Sequence, residues 1–530
     1  MLLFSSLPIW WFLLAAIVGI PLVLLVSDIV KWCRLPPGPL PIPFRGNKIP
    51  TTKPWIHFQE LSKKYGPIFT IWIGRTPTLV ISDPEVAVDL MEKRSSKYSS
   101  RPRSVMLREV YGTRSLLLQP YGKAWSSRRK LFHRGLTPTA ISTYKARQEA
   151  EATRTAFRIL ETPLSWERAL DTFAAALVFS IAYGRRIDTL EASVITERFK
   201  FLRVLATLNV PGRYKAESFP ILRHVPNFLA PWKKEIEEAG KAEAAANMAL
   251  VDGVKMDIQS KWEKGDEAAP SLTKMLLDIR ENEGIPMSDV DFAYISAGVF
   301  GAGADTTSAT LCSAIFAFVT HPAALKTAQV EMDAVIGSGR TPTFDDEKNL
   351  PYMSALVKEV LRWRPVAVMG GTPHATTEGD VYRGWYIPAG TGVMSNLWAI
   401  SLNEEYYPNP NLFDPARYLE ETDPRYVPEL EGKTHPGKGG LSAFGWGRRR
   451  CVAADLAMNS LFIALSKLIW AFDILPITTY SIFNYTEGGS NIRPKPFECL
   501  IRPRSEQHKT VLQREKKMAD LEMEKFPAFI

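Results

Sequence analysis

The distribution of apolar and polar residues separates a very apolar N-terminus from a longer body of mixed polarity. Leu7–Val26 is a run of 20 residues interrupted only by two prolines and one glycine, and Met1–Ser27 carries no charged side chain. An apolar run of this length can cross a bilayer as a helix. Lys31 and Arg34 follow it, and basic residues beside a membrane span favour the cytoplasmic side. We therefore predict a transmembrane anchor in residues 1–27, with the rest of the chain in the cytoplasm.

The flanks of this run favour an anchor that is retained. A cleaved signal peptide is the alternative, but it would need a positively charged start and a small-residue cleavage site, which this segment lacks. Five prolines in Leu35–Pro43 then predict a stiff, extended spacer, because proline cannot continue a helix or a strand ladder. We assign residues 28–50 to a proline-rich hinge.

Periodicity predicts a mainly helical body with a few short strands. Ile68–Ile73 and Thr78–Ser82 alternate as strands do. Ser288–Val319 predicts a long helix that opens with a capping box formed by Ser288 and Asp291. Ala454–Phe472 has the apolar spacing of a buried helix.

No repeat or linker divides residues 51–505, so we predict one large domain, mainly α with a small β-region. Residues 506–530 form a charged C-terminal tail, either a surface helix or disordered. Val210–Trp232 is apolar and broken by prolines, which is typical of a lid that touches the membrane surface or of an internally packed loop.

Composition excludes several classes of protein. The four cysteines lie far apart without a paired spacing, which argues against a zinc site or a disulfide framework and fits a reducing compartment. The net charge of +9 is moderate and the basic residues are scattered. Nucleic-acid binding predicts a basic face interleaved with exposed aromatics, and we find no such pattern. We therefore expect no nucleic acid among the partners.

The segment with the strongest chemical signal is Phe444–Ala453, a glycine-rich and arginine-dense loop that ends in Cys451 just before the last apolar helix. A sulfur at a helix N-terminus is stabilised as a thiolate by the helix dipole and by unpaired backbone N–H groups. Such a thiolate is a soft metal ligand, and Arg449 can reach an anionic group beside the metal. The alternative is that Cys451 is a small buried apolar residue.

Three further motifs are weak when each is taken alone. Trp125 and Arg129 share a helix face, which is also typical of an ordinary basic helix. Glu359 and Arg362 form an acid–base pair of a kind common on protein surfaces. Gly301–Thr307, near the middle of the long helix, predicts either a local groove or close helix packing.

Together these motifs resemble the cytochrome P450 superfamily. The Phe-x-x-Gly-x-Arg-x-Cys pattern that ends at Cys451 resembles its haem-binding loop, and the other motifs occur in the expected order. The sequence departs from the pattern at Ala453, where the family usually has glycine; alanine is small enough to be tolerated there. The resemblance covers roughly Leu35–Arg504 and implies a mostly helical haem-thiolate fold.

The resemblance implies a role for each motif residue. Cys451 would be the metal ligand of haem b, with Phe444 packed beside the sulfur. Asp305 and Thr306 would be catalytic, delivering protons to the distal oxygen. The residues that would bind the haem propionates are Trp125, Arg129, His374 and Arg449. The residues that would form a structural triad are Glu359, Arg362 and Arg417, the last from Phe413–Tyr418.

The implied activity is a monooxygenase reaction that inserts one oxygen atom of O2 into an apolar small molecule. The chain has no flavin or nicotinamide domain, so NADPH electrons would come from a separate NADPH–cytochrome P450 reductase, with cytochrome b5 as a second donor. A positive proximal face would steer an acidic reductase. Its candidate residues are Lys123, Arg128, Lys130, Arg448 and Arg450.

Gly445–Arg449 and Asn459–Ile463 resemble fungal microsomal members that oxidise secondary metabolites, including the O-methylsterigmatocystin oxidoreductase-like group. This implies a secondary-metabolite intermediate as substrate and a single-pass protein of the endoplasmic reticulum membrane. Two alternatives remain. One is a haem-thiolate isomerase or dehydratase independent of O2 and reductase, and the other is a non-catalytic haem-binding or membrane scaffold protein.

Overall fold

The computed structural model describes residues 9–208, 214–218, 220–437, 440–489 and 491–529. The α-helices are α1 (Ile9–Arg34), α2 (Pro54–Tyr65), α3 (Pro84–Ala87), α4 (Ser95–Tyr98), α5 (Val105–Tyr111), α6 (Lys123–Arg134), α7 (Pro138–Ser142), α8 (Lys145–Glu161), α9 (Trp166–Tyr183), α10 (Ser193–Leu208), α11 (Lys215–Ser218), α12 (Pro231–Trp262), α13 (Leu272–Glu283), α14 (Asp289–Thr320), α15 (Pro322–Val335), α16 (Pro351–Trp363), α17 (Leu397–Ser401), α18 (Ala454–Ala471) and α19 (Glu506–Glu524). The strands are β1 (Ile68–Ile73), β2 (Thr76–Ile81), β3 (His374–Ala375), β4 (Asp380–Tyr382), β5 (Trp385–Ile387), β6 (Gly392–Ser395), β7 (Phe472–Pro476) and β8 (Cys499–Pro503).

The long central helix is α14. It begins after Ser288, whose Oγ accepts a hydrogen bond from the Asp291 backbone N–H at 3.1 Å, as the capping motif predicts. It ends at Thr320, before His321 and Pro322, within a residue of the predicted bound. Among the described residues, α14 and α18 are the two helices long and apolar enough to span a membrane, and both are about three-quarters buried in the protein. Their burial identifies them as core helices.

The β-region is small, as predicted. In the main sheet β1 pairs antiparallel with β2, β2 pairs parallel with β6, and β3 completes the order β1-β2-β6-β3. The predicted first strand matches β1, whereas β2 starts two residues earlier than predicted because the turn after Ile73 is tighter. The sheet places His374, the first residue of β3, next to the central strands.

Helix α1 extends beyond the predicted boundary between anchor and hinge at residue 27. Asp28, six residues before the end of α1, carries a carboxylate that accepts two hydrogen bonds from the Arg75 guanidinium at 2.7 and 2.9 Å. Arg75 also donates to the Leu24 carbonyl at 3.3 Å. This contact attaches the helix to the β1–β2 turn and allows it to continue to Arg34, so the extended spacer begins only with the prolines.

The predicted lid in Val210–Trp232 lies partly outside the described residues, at 210–213 and 219. Its described part forms helix α11, two short 3₁₀ turns and the start of α12. Ile221 and Phe228 are about four-fifths exposed there. The lid interpretation stays a prediction.

The C-terminal tail is ordered through residue 529. Helix α19 packs along α8 with Leu512 and Met523 buried. Beyond it, the Arg186 backbone exchanges hydrogen bonds with the Pro527 carbonyl and the Phe529 N–H at 2.9 and 2.8 Å. Of the two predicted alternatives for the tail, a surface helix or disorder, the structure contains the helix, and its buried apolar residues also contribute to the core because they share one helix face.

This packing predicts that Leu512→Ala lowers the free energy of unfolding by about 2–5 kcal/mol, because it opens a cavity at a fully buried position. Met518→Ala on the exposed face of the same helix is the matched control and should change it by less than about 0.5 kcal/mol. Denaturant unfolding of both variants measures the difference. Equal small losses would show that α19 does not pack on the domain in solution.

Candidate functional site

The loop that carries Cys451 is folded tightly back on itself. The Cys451 backbone N–H donates to the Phe444 carbonyl at 2.8 Å, and Gly447 has a φ of 52°. A Cβ at Gly447 would lie 2.0 Å from the Met91 carbonyl oxygen, so this position needs glycine for both conformation and space. The loop thereby fixes the position of Cys451, which lies three residues before the start of α18.

Cys451 keeps accessible surface although protein atoms surround it. Burial is the main cause of a raised pKa of its thiol. The backbone N–H of Ala453 and the guanidinium groups of Arg129 and Arg450 oppose that rise. Cys312 and Cys499 are buried, with thiol pKa values raised to about 12, and neither offers such a thiolate.

Helix α6 presents Trp125 and Arg129 on one face, as their spacing predicts. The Trp125 Nε1–H is buried and has no hydrogen-bond acceptor among the described residues. The Arg129 and Arg449 guanidinium carbons lie 5.5 and 4.3 Å from the Trp125 ring centroid. The indole N–H therefore lacks an acceptor, and two cations lie close to the indole ring.

Arg449 uses its guanidinium on backbone carbonyls. It donates to Ser99, Leu116 and Gln119 at 2.7, 3.1 and 2.6 Å. Arg101, which sequence reasoning missed, does the same with Leu117, Thr372 and Pro373 at 2.7, 2.5 and 3.0 Å. No local spacing connects Arg101 with the cysteine loop, and only the folded chain brings them together.

The electrostatics of this cluster are unbalanced. Burial, followed by repulsion from Arg101 and Arg129, lowers the pKa of Arg449 to about 8, and burial lowers that of Arg101 to about 10. Within the described ranges, no carboxylate forms an ion pair with Arg101, Arg129 or Arg449. Buried charges without partners are costly. These residues therefore fit a buried group that supplies carboxylates.

His374 lies beside this cluster. Its Nδ1 donates to the Tyr98 carbonyl at 2.8 Å, since a carbonyl can only accept. Burial and then Arg101 lower the pKa of His374 to about 3, which makes the free imidazole neutral at physiological pH. Its Nε2 then carries no proton, so donation to a carboxylate would require the ring to take one up.

The middle of α14 shows the close packing that its small residues predict, and the local groove stays a prediction. Cβ atoms at Gly301 and Gly303 would lie 2.0 Å from Arg198 Nη2 and 2.6 Å from Val178 Cγ1, so these glycines allow close packing. The Thr306 hydroxyl donates to the Ala302 carbonyl at 2.9 Å, the predicted back-bond. Asp305 remains exposed and accepts a hydrogen bond from Asn491 Nδ2 at 2.8 Å.

Glu359, Arg362 and Arg417 come together as a buried ion cluster. Glu359 accepts from Arg362 at 2.6 and 2.7 Å and from Arg417 at 3.1 Å. Burial alone would lower the pKa of Arg362, but the Glu359 charge outweighs it and raises that pKa. Arg362 and Arg417 also donate to the carbonyls of the segment that leads to the cysteine loop, such as Leu412.

Comparison with known proteins gives a consistent result. The sequence model of the family "Cytochrome P450" matches residues 36–501. Cytochrome P450 monooxygenase 58 of Postia placenta (strain ATCC 44394 / Madison 698-R) is 34% identical, covering 94% of each chain. Cytochrome P450 monooxygenase ARMGADRAFT_1018420 of Armillaria gallica is 33% identical over 96% of this chain and 97% of its own length. Cytochrome P450 monooxygenase polD of Polytolypa hystricis (strain UAMH7299) is 34% identical over 93% and 94%.

The buried ion cluster predicts a large effect of Glu359→Gln. Removing the charge leaves two buried guanidinium groups unpaired, and we expect a loss of about 3–5 kcal/mol in the free energy of unfolding. Glu60→Gln breaks an exposed ion pair with Lys63 and should cost less than about 1 kcal/mol. Denaturant unfolding compares the two variants. Similar losses would contradict a structural role for the cluster.

Proposed function

Because the chain belongs to the cytochrome P450 family, we propose that Cys451 ligates its haem and that the enzyme oxidises an apolar secondary-metabolite intermediate. Members of this family are monooxygenases that use haem, O2 and NADPH-derived electrons delivered by a reductase, and they act on small molecules.

The observation that carries the proposal is a cluster of one buried and two half-buried cations, without a carboxylate partner among the described residues, beside the unpaired Trp125 donor. Arg101, Arg129, Arg449 and Trp125 would bind the two haem propionates, which supply the missing negative charge. His374 would join them by taking up a proton at Nε2. When bound through the Cys451 thiolate, haem supplies the activation of O2 and the transfer of one oxygen atom to a C–H bond or double bond.

Thr306 and Asp305 would hold and move protons on the distal side. The Thr306 hydroxyl donates its own proton to Ala302, so its oxygen lone pairs remain free to accept a proton-carrying water. The Asp305 carboxylate is exposed and can exchange protons with such a water. Their adjacency on α14 supports a short relay that ends at the Thr306 hydroxyl.

The membrane and electron-transfer partners follow from exposed surfaces. Apolar residues of α1 such as Ile17 and Val23 are more than two-thirds exposed, which supports a single-pass anchor in the endoplasmic reticulum with a cytoplasmic catalytic domain. NADPH–cytochrome P450 reductase, with cytochrome b5 as a second donor, would dock on the basic face near Arg448. Arg128 does not belong to that face, because it is buried and paired with Asp291.

Cys451→Ala should abolish the shifted Soret band of the ferrous carbon monoxide complex, since that shift requires a cysteinate ligand. Cys33→Ala and Cys499→Ala should retain it, because their sulfurs lie on α1 and in β8. A carbon monoxide difference spectrum of each variant is the measurement. A band that persists without Cys451 would reject the ligand assignment, and product formation without NADPH would favour the isomerase or dehydratase alternative.

Arg448→Glu should slow electron transfer from the reductase several-fold at low ionic strength and much less at high salt, because docking charges are screened by salt. Arg448 is exposed on the cysteine loop. Lys517→Glu, an equal charge reversal at an exposed position on α19, serves as the control. Stopped-flow reduction under carbon monoxide measures both rates. Equal rates for the two variants would contradict docking at Arg448.

A further inference from the structure

We propose that Asn491 is a positioning residue for Asp305. Its side-chain amide fixes the direction in which the carboxylate offers its free oxygen to the proton relay. This inference rests on the proposed monooxygenase function and extends it to a residue outside every motif of the sequence analysis.

The contact joins two parts of the chain that are distant in sequence. Asn491 Nδ2 donates to Asp305 Oδ2 at 2.8 Å, across the gap between α14 and the turn near residue 490. The amide nitrogen must be the donor, because an ionised carboxylate can only accept. Among the described residues, this is the single hydrogen bond of the Asp305 side chain, and no cation forms an ion pair with the Asp305 carboxylate.

The backbone, rather than the Asn491 side chain, determines where the amide lies. The Ile492 N–H donates to the Val366 carbonyl at 2.8 Å. Thr486 N–H donates to the Arg493 carbonyl at 2.9 Å, and Arg493 N–H donates to Thr486 Oγ1 at 3.2 Å. These bonds close the hairpin on both sides of the amide. Removing the Asn491 side chain should therefore leave the hairpin in place.

An uncharged donor suits a carboxylate that must transfer protons. An arginine or lysine partner would bind both oxygens strongly and hold the group in its ionised form. An amide occupies one oxygen with a single hydrogen bond and leaves the other oxygen free. Asp305 is thus oriented while its other oxygen stays accessible to water.

The first test compares Asn491→Ala with Asn484→Ala. Asn484 lies in the same hairpin, and among the described residues it makes only backbone hydrogen bonds. With NADPH and reductase, we expect Asn491→Ala to raise the ratio of hydrogen peroxide to water formed from O2 by about three- to tenfold. Its carbon monoxide difference spectrum should match the wild type, and Asn484→Ala should match in both measurements.

The second test exchanges the two groups. Asp305→Asn combined with Asn491→Asp keeps an amide–carboxylate hydrogen bond but moves the carboxylate to the hairpin. We expect its melting temperature to return close to that of the wild type, whereas each single substitution lowers it. The peroxide ratio should stay high. A low ratio in the exchanged variant would show that the bond only bridges two elements, and would overturn the positioning role.

The outcomes separate this inference from the proposed function. A wild-type protein without the shifted carbon monoxide band, or without NADPH-dependent O2 consumption, would reject the proposed function. A wild type with both properties and an Asn491→Ala variant with an unchanged peroxide ratio would reject the positioning role alone. Thermal unfolding of Asp305→Ala, Asn491→Ala and the double variant tests the contact without turnover, and strictly additive shifts in melting temperature would contradict it.

Discussion

The arrangement of the site depends on a concentration of buried positive charge that the protein does not neutralise. Arg101 and Arg129 both repel Arg449, and the carbonyl partners of the three guanidinium groups satisfy hydrogen bonds without removing charge. Such a cluster persists only if the surrounding fold is stable enough to hold it or if an anionic group joins it. The protein should therefore gain stability on binding a dicarboxylate cofactor, which couples cofactor uptake to completion of the fold.

A second ion cluster helps to hold the surrounding fold in place, and in this cluster the charges have partners. Glu359 is fully buried and its charge is matched by Arg362 and Arg417, whose remaining donors bind carbonyls of the chain that precedes the cysteine loop. The loop itself is confined by Gly447 against the Met91 carbonyl. The Glu359 cluster pairs its acid with two arginines and holds the backbone in place. The cluster of Arg101, Arg129 and Arg449 has hydrogen bonds but no counter-charge among the described residues, and an anionic ligand would supply one.

Sequence reasoning succeeded where the relevant interaction is local. The capping of α14 by Ser288, the shared face of Trp125 and Arg129, and the back-bond of Thr306 each follow from helical spacing, and the structure contains all three geometries. The bounds of α14, α18 and β1 could be predicted for the same reason, because they follow from local periodicity and capping. Arg101 and Asn491 could not, because their neighbours are set by long-range packing. The burial of Arg128 depends likewise on Asp291, a residue of another helix.

The same distinction explains why the middle of α14 admits two interpretations. Gly301 and Gly303 are required by Arg198 and Val178, so close packing alone accounts for the small residues. Asp305 is not accounted for in that way, because a packed helix gains nothing from an exposed carboxylate that bonds to a single amide. Gly301 and Gly303 are two positions apart on the helix, so they face different neighbours, Arg198 of α10 and Val178 of α9. Asp305 follows Gly301 by four residues and therefore lies on nearly the same face as Gly301. The close packing at Gly301 and the exposed acid thus share one side of α14, and the packing at Gly303 occupies the opposite side.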